Sequence, residues 1–366
     1  MTGRRLCGVA ILAIAGIFVG DVALRGDEPT PDELLDGPEI RELLAILESE
    51  AFRDYRYTDL RAEALKQFER IVTEGGLGLR NTALQRVRDR RGDERRRAEL
   101  VLAQVADLPA ELVRPLLDDE DVELSTWAYL VLRGRAGADA PPTRELEDFA
   151  QATDATQPEG RDPLLDVHAN VRDAVGQFEM INGVAMTTRD HAEDEVWQYE
   201  LTRRTLDLDG DGVAEHFVAG ELSGCIVFLA MARRSDATAS WKLAALARPE
   251  FAHHAAPLVA DFDGDGRPDL GVAHDNCGIP GYGGFSVYSA SDRAFVEAPW
   301  AYHAPVRVLF RRPGEAPVFV AREPHKDNYG GTAMHCVGVC AMRHDLFRWD
   351  GRAFKPVGVA FVRSDE

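Results

Sequence analysis

The chain has 366 residues, 62 acidic and 42 basic, for a formal net charge of −20. That balance argues against nucleic acid and anionic membrane surfaces as general partners, and it suits cations. With 45% hydrophobic and 8% aromatic residues a packed core is expected and wholesale disorder is not; the length suits about two or three domains.

Arg4 and Arg5 precede "LCGVAILAIAGIFVG", an apolar run from Leu6 to Gly20. The pattern predicts an export signal over residues 1–26, hence a periplasmic or extracellular protein. The run is short for a membrane span, which needs about 20 residues, yet no clean small-x-small cleavage triplet follows it. A cleaved signal peptide and a signal anchor over residues 6–24 both remain open, and an anchor would be the chain's one route to a membrane.

Residues 27–133 have a helical period. Ile40, Leu43, Leu44 and Leu47 share one face after Pro38, and Leu65, Phe68 and Val72 repeat the pattern until "TEGGLG" stops it. Ala98, Val101, Leu102 and Val105 mark a further helix. Two short helices follow, lined by Leu112, Val113, Leu116 and Leu117, then by Leu124, Trp127, Ala128 and Val131, and joined at the acidic "DDED". From about residue 80 to 133 this resembles a HEAT-type helical repeat, which implies antiparallel helix pairs, here a small domain or cap rather than a long solenoid. The arginines between Arg80 and Arg97 interleave with Asp89, Asp93, Glu94 and Glu99, as expected of a solvated helix surface rather than a nucleic-acid face.

Residues 134–165, rich in Ala, Gly, Pro, Thr and acid, predict a linker. Residues 166–366 then alternate with a period of two. "HFVAGELSGCIVFLAMARR", "GGFSVYSASDRAFVEA", "APVFVARE" and "DLFRWDGRAFKPVGVAFV" predict antiparallel strands, the last a hairpin turning at Asp350 and Gly351. The fold class is therefore α+β and multidomain, helical first and antiparallel β after. Cys225, Cys277, Cys336 and Cys340 all fall in the β part and are disulfide candidates in an exported chain, with the connectivity open. A thiolate metal site in "HCVGVCAMRH" is the weaker alternative, because Cys-x3-Cys is not a usual zinc spacing.

Two acidic loops stand out. "DLDGDGVAE" places Asp207, Asp209, Asp211 and Glu215, and "DFDGDGRPDL" places Asp261, Asp263, Asp265 and Asp269. Carboxylates at i, i+2 and i+4 in a tight turn repel one another unless a cation lies between them. Calcium takes six to eight oxygens, backbone carbonyls included, and glycine lets the chain curl around it. An EF-hand does not fit: its twelfth position is Val218 or Val272 here, and the flanks are strand-like.

The strand, the D-x-D-x-D-G-x-x-D loop, the apolar strand and the Gly-rich "GIPGYGGFSVYSA" resemble the FG-GAP or VCBS repeat, the calcium-loop blade of integrin-type β-propellers, over about residues 195–360. The resemblance implies two structural calcium sites. One has the side chains of Asp207, Asp209, Asp211 and Glu215 with the Val213 carbonyl. The other has Asp261, Asp263, Asp265 and Asp269 with the Arg267 carbonyl. A third copy without its acids follows when "VLFRRPGEAPVFVA" is set under "ADFDGDGRPDLGVA", matching Phe310 to Phe262, Gly314 to Gly266 and Val318 to Leu270. About three repeats do not close a propeller, so either the N-terminal helices cover the sheet edges or further blades too degenerate to read lie in residues 164–200. The function implied is an exported calcium-binding module that presents loops to a protein or glycan. The alternative is a secreted hydrolase using His and Asp residues such as His274, Asp275, His325, Asp327 and His344, but no HExxH, GxSxG or phosphate loop accompanies them.

Overall fold

The computed structural model describes residues 29–48, 58–105, 108–133, 200–222, 225–236, 239, 242–247, 249, 252–276, 283–298, 306–312, 314–322 and 341–363. The predicted export signal and linker, Cys277, Cys336, Cys340, His325 and Asp327 lie outside them, and Cys225 and Asp275 are placed by their backbone alone. Among the described residues no helix is long and apolar enough to cross a membrane. The chain is α+β, with helices first and three four-stranded antiparallel meanders after.

The helical layer comprises α1 (Pro31–Leu35), α2 (Pro38–Glu48), α3 (Thr58–Asp89), α4 (Gly92–Ala103), α5 (Ala110–Val113) and α6 (Val122–Leu132). Pro38 opens α2 as the sequence predicts. The stop predicted at "TEGGLG" is a break inside α3, where Gly76 leaves helical geometry at φ 52° and ψ −142°. The short α1 was not expected; a capping box defines it, with Thr30 and Glu33 each accepting from the other's backbone N–H. A 3-10 turn, Arg114–Asp118, joins α5 to the "DDED" segment, and Asp121 caps α6 by accepting from the Leu124 N–H at 3.1 Å.

Arg90 and Arg96 pair with Glu94 and Asp93 on the surface as expected, but two arginines depart from the expectation of a solvated face. Arg86 is buried and holds Asp32 at 2.6 Å and Asp36 at 2.8 Å. Arg95, 1% exposed, bridges Asp121 at 2.8 Å and Glu123 at 3.4 Å. These guanidiniums tie helices together because several carboxylates satisfy each planar fork.

Sheet one is β1 (Glu200–Leu206), β2 (Glu215–Leu222), β3 (Cys225–Arg233) and β4 (Lys242–Ala247); sheet two is β5 (Ala252–Ala260), β6 (Asp269–Asn276), β7 (Gly283–Ser289) and β8 (Ala294–Glu297). One backbone pair, Cys225 with His253, joins them into an eight-stranded sheet. Sheet three is β9 (Val306–Leu309), β10 (Val318–Arg322), β11 (Ala341–Trp349) and β12 (Phe354–Arg363).

The layers stack in chain order. Phe217, Leu229 and Met231 of sheet one pack with Leu270, Val272 and Tyr288 of sheet two. The opposite face of sheet two, through Phe262, Phe285 and Val287, packs with Val308, Phe319 and Ala321 of sheet three. The far face of sheet three, with Val318, Val320, Leu346 and Phe361, shares one core with Trp127, Leu124 and Val101 of the helices.

The pairing corrects the third copy by one residue. Val259 pairs with Leu270 in sheet two, and Thr205 with His216 in sheet one. In sheet three the corresponding pair is Val308 with Phe319. Phe319 therefore takes the place of Leu270, Val318 that of Asp269, and Arg311 that of Phe262. Matching glycine to glycine shifted the comparison, and a one-residue slip in a strand exchanges its two faces.

The helices also cap a sheet edge. β12 is the outer strand of sheet three. The Phe361 N–H donates to Glu99 Oε2 at 2.9 Å, the Val359 N–H donates to Glu123 Oε1 at 3.2 Å, and Trp127 Nε1 donates to the Phe361 carbonyl at 3.1 Å. Side chains of α4 and α6 thus complete an edge that would otherwise invite another strand.

Candidate metal centre

The two acidic loops occupy the same place in successive sheets, loop one between β1 and β2 and loop two between β5 and β6. Their internal bonding matches residue for residue. In loop one, Asp207 accepts from the Gly210 and Gly212 N–H groups at 2.8 and 3.0 Å, and Asp211 from the Val213 N–H at 2.7 Å. In loop two, Asp261 accepts from Gly264 and Gly266 at 2.7 and 2.9 Å, and Asp265 from Arg267 at 2.7 Å. The last acid of each loop anchors the turn: Glu215 accepts from the Leu208 N–H at 3.0 Å and Asp269 from the Phe262 N–H at 2.8 Å. Gly264 and Gly266, at φ 80° and 85°, supply the left-handed backbone that aims the carboxylates inward.

Ligand oxygens of Asp261, Asp263 and Asp265 lie within 4.8 Å of one another, and so do those of Asp207, Asp209 and Glu215. Asp269 is outside the first group and Asp211 outside the second. Neither group contains a histidine or cysteine. His216, His274 and His344 stand instead on β2, β6 and β11, one in each sheet, and are buried.

The electrostatics of the loops differ. In loop two, burial pushes the Asp269 carboxyl up to about 7 against the Phe262 hydrogen bond, and Asp263 and Asp265 add to the rise. Asp263 is also raised, first by burial and then by Asp265 and Asp261. Among the described residues no cationic side chain forms an ion pair with these four acids. In loop one, Arg233 at the end of β3 reaches in. Its Nη2 contacts Asp209 and lies 3.0 Å from Asp211, and its Nε lies 3.2 Å from Glu215. The Val213 N–H and then Arg233 hold Asp211 below its ordinary value, whereas burial raises Glu215. Sequence reading took Arg233 for part of a strand.

The loops form a continuous row with the rest of the molecule. Arg267 Nη1 donates to the Asp209 carbonyl at 3.4 Å, linking loop two to loop one. A Cβ on Gly264 would lie 3.3 Å from Ala316 in the third connection, and one on Gly351 2.9 Å from Asp263 Oδ2. In that third connection Arg311 donates to the Asp119 carbonyl at 3.2 Å, and Arg312 to the Asp118 carbonyl. The position that holds Phe262 in sheet two has become an arginine that docks on the "DDED" turn.

Fold and site together define an α+β protein of three stacked antiparallel sheets with a row of acidic connections. A scan against protein-family models, a search of curated proteins and a search of solved structures each give no match.

Proposed function

We propose that the chain is an exported, calcium-binding module of the FG-GAP or VCBS kind, in which calcium is structural and the loop row meets a protein or glycan partner. The observation that supports it is loop two, which gathers Asp261, Asp263 and Asp265 around one point with no cationic side chain paired to them among the described residues. The donor set is all oxygen, as a hard divalent cation requires. Asp269 and the Arg267 carbonyl complete the set that the resemblance implies. Calcium there would neutralise mutually repelling carboxylates and fix loop two against the third connection and the Gly351 turn. The export signal and the acidic net charge agree with a calcium-rich compartment.

The test is thermal unfolding of the full chain in calcium chloride and in chelator. A ligand that binds only the folded state adds about 2.7 kcal/mol at one hundred times its Kd. Extracellular calcium modules bind at roughly 10⁻⁴–10⁻³ M, so millimolar calcium should raise the Tm. Asp263→Ala should abolish the rise, and Arg311→Gln should leave it intact. A Tm insensitive to millimolar calcium would reject the reading.

A further inference from the structure

Glu215 and Asp269 hold equivalent places, and so do the residues beside them on the next strand. His216 pairs with Ala232, which brings Glu215 level with Arg233; Leu270 pairs with Tyr288, which brings Asp269 level with Ser289. In loop two the hydroxyl bonds to groups other than the four loop acids. Ser289 Oγ lies 3.1 Å from Ser291 Oγ and donates to the Gly351 carbonyl at 3.0 Å. In loop one the same place sends a guanidinium among Asp209, Asp211 and Glu215.

We propose that loop one carries its own cation, so that Arg233 takes the place of calcium there and the chain binds calcium at loop two alone. This rests on the calcium reading of loop two and departs from the two sites that the loop sequences imply. A guanidinium is permanently charged and offers five donors in a fixed plane, and here it engages three of the four acids. A metal entering loop one would have to expel Arg233, whose side chain is 30% exposed. Loop one is thereby made independent of calcium supply, while loop two depends on it.

Calcium stoichiometry of the full chain, measured by equilibrium dialysis against calcium chloride, tests this. The natural chain should bind one ion, Asp263→Ala none, Arg233→Ser two, and the double variant one. Arg233→Lys should stay at one, because the charge is kept. Two ions on the natural chain, or one on Arg233→Ser, would overturn the proposal. If the natural chain binds none, the calcium reading fails on its own, and unfolding in chelator decides the role of Arg233. Arg233→Ser should then lower the Tm, and adding Asp209→Asn with Asp211→Asn should restore it. An unchanged Tm on Arg233→Ser in chelator overturns the proposal by itself. Arg233→Gln, which keeps most of the stem, carries the same expectations if the serine variant does not fold.

Discussion

Trp127 of α6 and Phe361 of β12 are joined by one buried hydrogen bond, 3.1 Å from the indole nitrogen to the backbone carbonyl. Trp127→Phe keeps most of the ring and removes the donor, leaving that carbonyl without its partner. A buried polar group left unpaired costs about 1–3 kcal/mol. Urea unfolding should show a loss of that size, with the m-value unchanged. A variant as stable as the natural chain would mean that this hydrogen bond adds nothing to the hold of the helices on the edge of sheet three.

Glu99 receives the Phe361 N–H in the same contact, and burial pushes its carboxyl from 4.5 up to about 8. Between those values the folded chain holds a proton that the unfolded chain has released. This group's contribution to stability is therefore full below about pH 4.5 and falls as pH rises toward about 8. Glu99→Gln keeps an oxygen for the Phe361 N–H and removes the ionisation. The variant should match the natural chain near about pH 5 and exceed it near about pH 9 in urea midpoint. A constant difference across that range would show that Glu99 does not titrate.

Gly351 has φ 84°, and a Cβ there would stand 2.9 Å from Asp263 Oδ2. Gly351→Ala should cost about 1–2 kcal/mol for left-handed backbone and also displace an acid of loop two. Gly92→Ala supplies the control, since Gly92 has φ 57° and open space around its Cβ position. Both variants should melt lower, but only Gly351→Ala should bind calcium more weakly. Equal calcium affinity in the two would separate loop two from the β11–β12 turn.

Phe319 is fully buried among Phe262, Phe285 and Phe354, at ring distances of 5.6, 5.2 and 5.0 Å. Phe319→Ala should cost about 3–5 kcal/mol. Phe310→Ala, at a partly buried position at the end of β9, should cost less. The reverse order would restore the register obtained by aligning Gly314 with Gly266.

That register shows where sequence reading stops. Alternation reaches β2, β3, β7, β8, β10, β11 and β12, and periodicity reaches α2, part of α3, α4, α5 and α6, because those patterns are local. The acidic loops were legible for the same reason: their acids and glycines lie within nine residues. The third copy had lost its acids, so only pairing across the sheet fixes its faces. Arg233 was illegible as part of loop one because it approaches Asp209 across 24 residues of chain. Glu99, Glu123 and Trp127 read as ordinary members of amphipathic helices, and nothing near them in sequence announces the strand they cap.

The capped edge imposes an order in time. Trp127 and Phe361 are separated by 234 residues, and Glu99 and Phe361 by 262. At a synthesis rate of about 5–20 residues per second, α6 exists for roughly ten to fifty seconds before β12 is made. Throughout that interval Leu124, Trp127 and Val101 lack the strand that covers them. The core shared by the helices and sheet three therefore closes only when the last strand has been made.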